Sequence, residues 1–213
     1  TVGALRTGSR PVVDGDVREW AGLSSTLLNK DTAEFVSGQI PSLTDEAASL
    51  KTAWAPDALY FALDITDDVL VGNNSSQIWG DDAIEIRLRV GRETHHFTLA
   101  IDERQADLGY TINSLTVAAR TYIGRWTLEV AIPSYAVGAY QFMEGETIPF
   151  TFGLWDDDTY TCPGQTHMIW QGTTTYTYSL DWGQLNLSST VYNFQPVTPT
   201  PTVTPSPTPT ATR

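Results

Sequence analysis

Within Gln77-Ile78-Trp79-Gly80-Asp81-Asp82-Ala83-Ile84-Glu85-Ile86-Arg87-Leu88 a tryptophan precedes a glutamate by six positions. Even spacing gives the two the same parity, so on a strand beginning near Gly80 the indole of Trp79 and the carboxylate of Glu85 fall on one face. An apolar plate beside a hydrogen-bond acceptor suits a pyranose. The sugar's C–H face lies against an aromatic π-face, and its equatorial hydroxyls donate to a carboxylate. A well-formed charge-assisted bond contributes about 1.5–3 kcal/mol, and losing it discriminates against a stereoisomer whose hydroxyl points elsewhere. A plainer reading has Trp79 packing over a sheet end and Glu85 solvated.

Acidic clusters offer a second chemistry. Asp64, Asp67 and Asp68 place hard oxygen donors over one strand end, and Asp14 with Asp16 brackets a glycine like half of a cation loop. Neither has complete EF-hand spacing, and solvated turn acids give the same pattern. A bound calcium would here be structural, because nothing suggests an open catalytic coordination position. No glycine-rich phosphate loop, nucleophile elbow, zinc-spaced histidine pair or C-x-x-C occurs. With 25 acids against 12 Lys plus Arg, the formal charge of −13 repels a phosphate backbone or an anionic lipid surface, so neither nucleic acid nor a membrane is expected as a partner.

The elements that must carry these residues read as strands. Ala53-Trp54-Ala55 passes through Pro56-Asp57 into Leu59–Ile65, a hairpin pattern. From Asp82 to Val90, Ile84, Ile86, Leu88 and Val90 share one face, while Glu85, Arg87 and Arg89 share a face expected to be wet. His95 to Asp102 alternates likewise, and Gly91-Arg92-Glu93 joins the two runs. Trp126 to Pro133, Ile148 to Trp155 and Trp182 to Leu187 complete an all-β count. Ser42 to Leu50 is the best candidate for a short helix. Trp54 and Trp126 sit in core-like alternation. The pattern predicts an antiparallel β-sandwich or jelly roll.

Residues 1–192 are expected to form this sandwich and 193–213 an extended Thr/Pro-rich linker. Proline at nearly alternate positions favours polyproline II, about 3.1 Å per residue, a semi-rigid tether of about 50 Å. A tether implies a covalently linked catalytic or surface domain and raises that partner's effective concentration at a bound surface. The single cysteine, Cys162, cannot form an internal disulfide and is expected to be tucked into its loop. No stretch is long and apolar enough to span a membrane. The first residues lack signal-peptide character, so a secreted, extracellular protein would have lost its signal already.

Taken in order, Val12-Val13-Asp14-Gly15-Asp16 with Trp20, Ala53–Leu63 with Asp67-Asp68, Trp79-Gly80-Asp81-Asp82-Ala83-Ile84-Glu85-Ile86, Leu128-Glu129-Val130-Ala131-Ile132-Pro133, Gly145-Glu146-Thr147-Ile148 and Trp182-Gly183-Gln184-Leu185 resemble the family 9 carbohydrate-binding modules. The resemblance spans about residues 10 to 188. It implies a calcium-bearing, non-catalytic β-sandwich that clamps one or two units of an oligo- or polysaccharide, a β-glucan (cellulose) or xylan chain end, between two tryptophans. Trp79 matches the first clamp residue and Glu85 the hydroxyl-binding glutamate. Trp170, in His167-Met168-Ile169-Trp170-Gln171, is the candidate second clamp, with Trp155 the runner-up and a core role for Trp170 the competing reading. The family's arginine and asparagine have no match; His96, Thr98 and Asp102 occupy that region, and His167 stands where an amide donor is expected.

Two other functions fit a chain of this kind. Related sandwiches carry haem b on methionine and histidine or lysine, and Met143, Met168 and three histidines are present without a haem-attachment motif. A structural module of an extracellular surface layer or filament would use its edge strands against copies of itself.

Overall fold

The computed structural model describes residues 1–40, 42–72, 77–158, 166–172 and 181–197. Cys162 and residues 198–213 of the expected linker lie outside the described residues. The strands in order are β1 (Val2–Ser9), β2 (Thr26–Asn29), β3 (Phe35–Ser37), β4 (Glu46–Ala55), β5 (Ala58–Asp67), β6 (Ala83–Val90), β7 (Glu93–Ala100), β8 (Gln105–Asp107), β9 (Tyr110–Thr111), β10 (Thr116–Tyr122), β11 (Arg125–Pro133), β12 (Thr147–Asp156), β13 (Thr166–Ile169) and β14 (Gly183–Asn193). Short 3₁₀ turns at Val17–Trp20, Ile78–Gly80 and Ser134–Val137 are the helical elements among the described residues. The fold is all-β.

Hydrogen bonding follows the path β10-β11-β5-β4-β1-β14-β12-β6-β7-β8-β9, with β2 on β4, and β13 bridging β12 to β3. Its two halves face each other across one core. Leu59, Phe61, Leu63 and Ile65 of β5 meet Ile84, Ile86 and Leu88 of β6 and Ile148, Phe150 and Phe152 of β12. Phe61 stacks on Phe150 at 5.7 Å although their strands are not paired. Trp54 and Trp126 are fully buried there. The ladders are antiparallel except at β1, which runs parallel to both β4 and β14 and closes the gap between them.

Residues Ser42 to Leu50 do not form the expected helix. Glu46 opens β4, and Glu46, Ala48 and Leu50 are buried in alternation, a period of two that pairing with both β2 and β5 enforces. The face of β6 expected to be wet is exposed only at Arg89. Glu85 and Arg87 are each 1% exposed: their charges pair, and Trp155, His96 and His167 close around Glu85. β14 runs to Asn193, and Phe194 is buried edge-on against Trp20 at 4.7 Å, inside the segment expected to be linker.

The motif from Val12 to Trp20 satisfies one buried acid. Glu129 on β11 accepts from the amides of Asp14 and Gly15 through Oε2, and from the indole N–H of Trp20 through Oε1 at 2.6 Å. Gly15 sits at φ +79, where a Cβ would meet Arg120 Cγ at 2.8 Å, so this turn requires glycine.

Candidate functional site

Core-facing Ile84, Ile86, Phe150, Phe152 and Leu154 oblige their neighbours to point to the other side of the sheet. Glu85, His96, Thr98, Trp155 and His167 thereby gather on the outer face of β6, β7, β12 and β13. Register fixes the set: Glu85 opposes Thr98 and Gly153, Arg87 opposes His96, and Trp155 opposes Ala83 and His167.

Glu85 is the centre. Its Oε1 accepts from the Trp155 indole N–H at 2.7 Å and lies 2.8 Å from His96 Nε2. Its Oε2 accepts from Arg87 at 2.5 Å and lies 3.3 Å from His167 Nε2, whose ring is not aligned for a hydrogen bond. Burial alone would push the carboxyl up, but the adjoining His167, His96 and Arg87 hold it well below the usual carboxylate range. Glu85 is a buried anion among donors.

Above it is a cavity of about 250 Å³ walled by Ile78, Trp79, Leu108 and Gly109 and floored by Glu85, His96 and Thr98. The 3₁₀ turn at Ile78–Gly80 holds Trp79 out, leaving it 40% exposed. The turn between β8 and β9 forms the opposite wall, and the Leu108 amide donates to the His96 carbonyl at 3.1 Å.

Of the residues singled out in the sequence, Trp79, Glu85 and His96 line this cavity together, and His167 backs Glu85 from beside it. Trp170 does not join them. It follows Met168 in core parity and packs against Phe152 at 5.8 Å and Phe150 at 6.3 Å, so the facing pair Trp79/Trp170 is not formed. Trp155 is the tryptophan beside Trp79, at 5.8 Å and 43°. A ring held between two aromatic planes needs van der Waals contact on both sides, about 7–8 Å in all, so this pair is too close to enclose a sugar. Strand alternation could have found Trp155, since Phe150, Phe152 and Leu154 claim the core. The opposing wall at Leu108 and Gly109 comes from a turn that Gly109, at φ +82, marks in the sequence, but its position over the cavity is set by the pairing of β7 with β8. Met168 is buried in the core, on the face of β13 opposite His167, and Met143 is 62% exposed.

A second constellation lies at the ends of β5, β6 and β12. Carboxylate oxygens of Asp67, Asp82 and Asp156, all buried, lie within 4.8 Å of one another, and Asp45, Asp68 and Asp158 form a like group. Burial, with neighbouring carboxylates, pushes Asp67 up to about 7, Asp82 to about 9 and Asp156 to about 8. Asp82 accepts from the amides of Val71 and Asp157, whereas Asp156 Oδ1 and Asp45 Oδ2 are buried without a hydrogen-bond partner. All-oxygen, anionic, under-satisfied donors fit a hard divalent cation.

Asp67 and Asp68, read as candidate ligands, belong to this constellation; Asp64, Asp14 and Asp16 do not. Asp64 is paired with Arg125 at 2.5 Å, and Asp14 and Asp16 with Arg120 at 3.0 and 3.3 Å. Arg18 holds Asp16 down to about 2. Each of these acids already has a cation; Arg18 is a sequence neighbour of Asp16, whereas Arg120 and Arg125 come from distant parts of the chain.

A family model described as carbohydrate family 9 binding domain-like matches residues 13–190. No match was found to any protein of curated function. Similar solved structures include a family 9 carbohydrate binding module from Caldicellulosiruptor kristjanssonii in complex with cellotriose, with TM-score 0.71, 17% identity, and 88% of this chain and 93% of that one covered. A second, from the same organism in complex with glucose, has TM-score 0.70, 16% identity, and coverage of 91% and 100%. The family model spans both the Trp79/Glu85 cavity and the acidic constellation, and this chain belongs to the carbohydrate family 9 binding domain-like family.

Proposed function

We propose that the chain is a non-catalytic module that holds a neutral sugar in the cavity beneath Trp79. The observation that carries this reading is the joining of one exposed indole face to a polar floor of Glu85, His96 and Thr98 in a space of about 250 Å³. The sugar's C–H face stacks on Trp79, and Leu108 and Gly109 close the other side. Its hydroxyls reach His96 and Thr98, which Glu85 keeps in place. Glu85 thus orients donors more than it serves as the lone acceptor. In place of two clamping tryptophans, one tryptophan works against a turn, with Trp155 as its support.

Calcium is proposed as a structural ion. Asp67, Asp82 and Asp156 would hold it, with Asp45, Asp68 and Asp158 beside them, and it would neutralise carboxylates that burial otherwise leaves uncompensated. A secreted protein, tethered through the Thr/Pro segment to a domain that performs chemistry or anchors to a surface, is the setting that fits such a module. β-Glucan and xylan chain ends are the proposed ligands. Isothermal titration against glucose, cellobiose and xylobiose tests the reading. Binding in the micromolar to millimolar range, abolished by Trp79→Ala, is expected; no heat with any of these sugars would overturn it.

A further inference from the structure

Trp126, Leu128 and Val130 point into the core, which turns Arg125, Thr127 and Glu129 to the outer face of β11, on the far side of the core from Trp79. A groove on that side has a volume of about 730 Å³, against about 250 Å³ for the sugar cavity. The chain itself leads into it. Tyr192 donates its hydroxyl to the Glu19 carbonyl at 3.0 Å, Ser9 donates to the Phe194 carbonyl at 2.8 Å, and Phe194 is buried against Trp20, so the chain is fastened to the Val17–Trp20 turn as far as Phe194. Pro196 and Val197, the last described residues, then line the groove. We propose that this groove is the seat of the chain's own Thr/Pro segment, with Thr198 to Thr204 laid along it in extended form and the remainder continuing as the tether. Seven residues of polyproline II reach about 22 Å, and a segment joined to the groove at Val197 docks without the entropy cost of bringing in a separate partner.

The chemistry of the groove suits a neutral chain rich in hydrogen-bond acceptors. Arg18, Arg120 and Arg125 are matched in its lining by Asp14, Asp16 and Glu19, so a charged ligand meets little net attraction. Arg18 and Arg120 are both engaged by Asp16, and Arg120 by Asp14 as well. Arg125 is different. Asp64 accepts from its Nε and Nη2, and its guanidinium stands over the Tyr122 ring at 5.1 Å, which fixes the group and leaves Nη1 and the Tyr122 hydroxyl without a hydrogen-bond partner among the described residues. Tyr122 is 44% exposed, and Val12 and Val17 add apolar wall beside it. A Thr/Pro chain is the complement of such a surface. Its proline rings pack on an aromatic side chain, and its backbone carbonyls, which have no internal partner in polyproline II, accept from fixed donors. Residues 198–212 carry no charged side chain, in keeping with the balanced lining.

Amide relaxation measured on the full chain tests this. Order parameters of about 0.8, close to those of the strands, are expected at Thr198, Thr200 and Thr202, and values below about 0.6 near Arg213. Nuclear Overhauser contacts are expected between the Tyr122 ring and the δ-protons of Pro199 or Pro201. A Tyr122→Ala/Arg125→Gln variant, with both substitutions on the surface, is expected to bring Thr198 to Thr202 below about 0.6 while the amides of Trp20 and Phe194 keep their wild-type values. Values that low at Thr198 to Thr202 in the wild-type chain would overturn the docking, as would the absence of contacts from the Tyr122 ring to either proline. Ordering that survives in the variant would place the segment elsewhere and overturn it too. Ordering lost on about tenfold dilution would assign the groove to the segment of a second copy, with the same consequence.

Discussion

Trp155 lies flat on His167, with ring planes 3° apart and centroids 3.7 Å apart, while its indole N–H donates to Glu85 over 2.7 Å. The ring is thus fixed by one partner on its face and another on its edge. Trp79 leans over it at 43° and meets the cavity. Trp155 is thus held from below, and Trp79 is the one of the two that lines the cavity.

Substituting the two should separate those roles. Trp79→Ala is expected to abolish sugar binding with less than about 1 kcal/mol lost in urea unfolding, as for a surface side chain. Trp155→Ala should cost about 2–4 kcal/mol, because it removes packing and leaves Glu85 short of a donor. Titration calorimetry and denaturation on the same samples read both.

Glu85 and Arg87 form a buried pair, and removing one partner strands the other. Arg87→Met is expected to destabilise the chain by about 3–5 kcal/mol, measured by urea unfolding at neutral pH. The pH dependence follows from the depressed Glu85 carboxyl. An acid whose folded-state value lies below its unfolded one contributes stability present above the unfolded value and lost as pH falls through the folded one. Wild-type stability should therefore carry an acid-side loss that is missing in an Arg87→Met/Glu85→Gln variant.

Much of this was legible before any coordinates. Alternation over Asp82–Val90 and His95–Asp102 carries the β6–β7 hairpin, whereas Trp79 reaches the side of Glu85 from the 3₁₀ turn ahead of β6, where strand parity does not apply. Parity says which face a residue takes; it does not say whether that face stays open. The face holding Glu85 reads as wet in the sequence because Trp155 and His167, which close over that carboxylate, come from strands far away in sequence. The candidate metal ligands are separated by the fold. Asp67 meets Asp82 and Asp156, and Asp68 meets Asp45 and Asp158, because β5, β6 and β12 end together, whereas Asp64 is met by Arg125 and Asp14 and Asp16 by Arg120. Pairs two residues apart, such as Glu85 with Arg87 and Asp16 with Arg18, are within reach of sequence spacing, but the long-range partners Arg120 and Arg125 are brought in by topology alone.

Trp170 is expected to matter for stability and not for recognition. Its ring packs on Phe150 and Phe152 and closely faces Gly183, where a Cβ would meet it at 2.4 Å. Trp170→Ala should cost about 2–4 kcal/mol, somewhat less than a fully buried aromatic. Its remaining folded fraction should bind glucose with wild-type affinity. A selective loss of binding at unchanged stability would instead return Trp170 to the site.

The acidic constellation predicts opposite pH trends with and without calcium. In the metal-free chain Asp67, Asp82 and Asp156 titrate near 7, 9 and 8, above the value of about 4 they have when unfolded. Between those limits the folded state binds more protons than the unfolded one, so stability falls as pH rises from about 4 toward 9. Chelated protein should accordingly melt at a lower temperature at pH 8 than at pH 5. Calcium binds the ionised form, so its stabilisation should grow with pH. At a free concentration one hundred times its Kd it adds about 2.7 kcal/mol, or roughly 5–10 °C in a domain of this size. Melting curves in EGTA and in millimolar calcium at the two pH values decide it. Asp82→Asn should remove most of the calcium response and raise the melting temperature of the chelated protein at pH 8, since it deletes the most strongly raised of the three carboxyls. An unchanged calcium response in that variant would place the ion elsewhere.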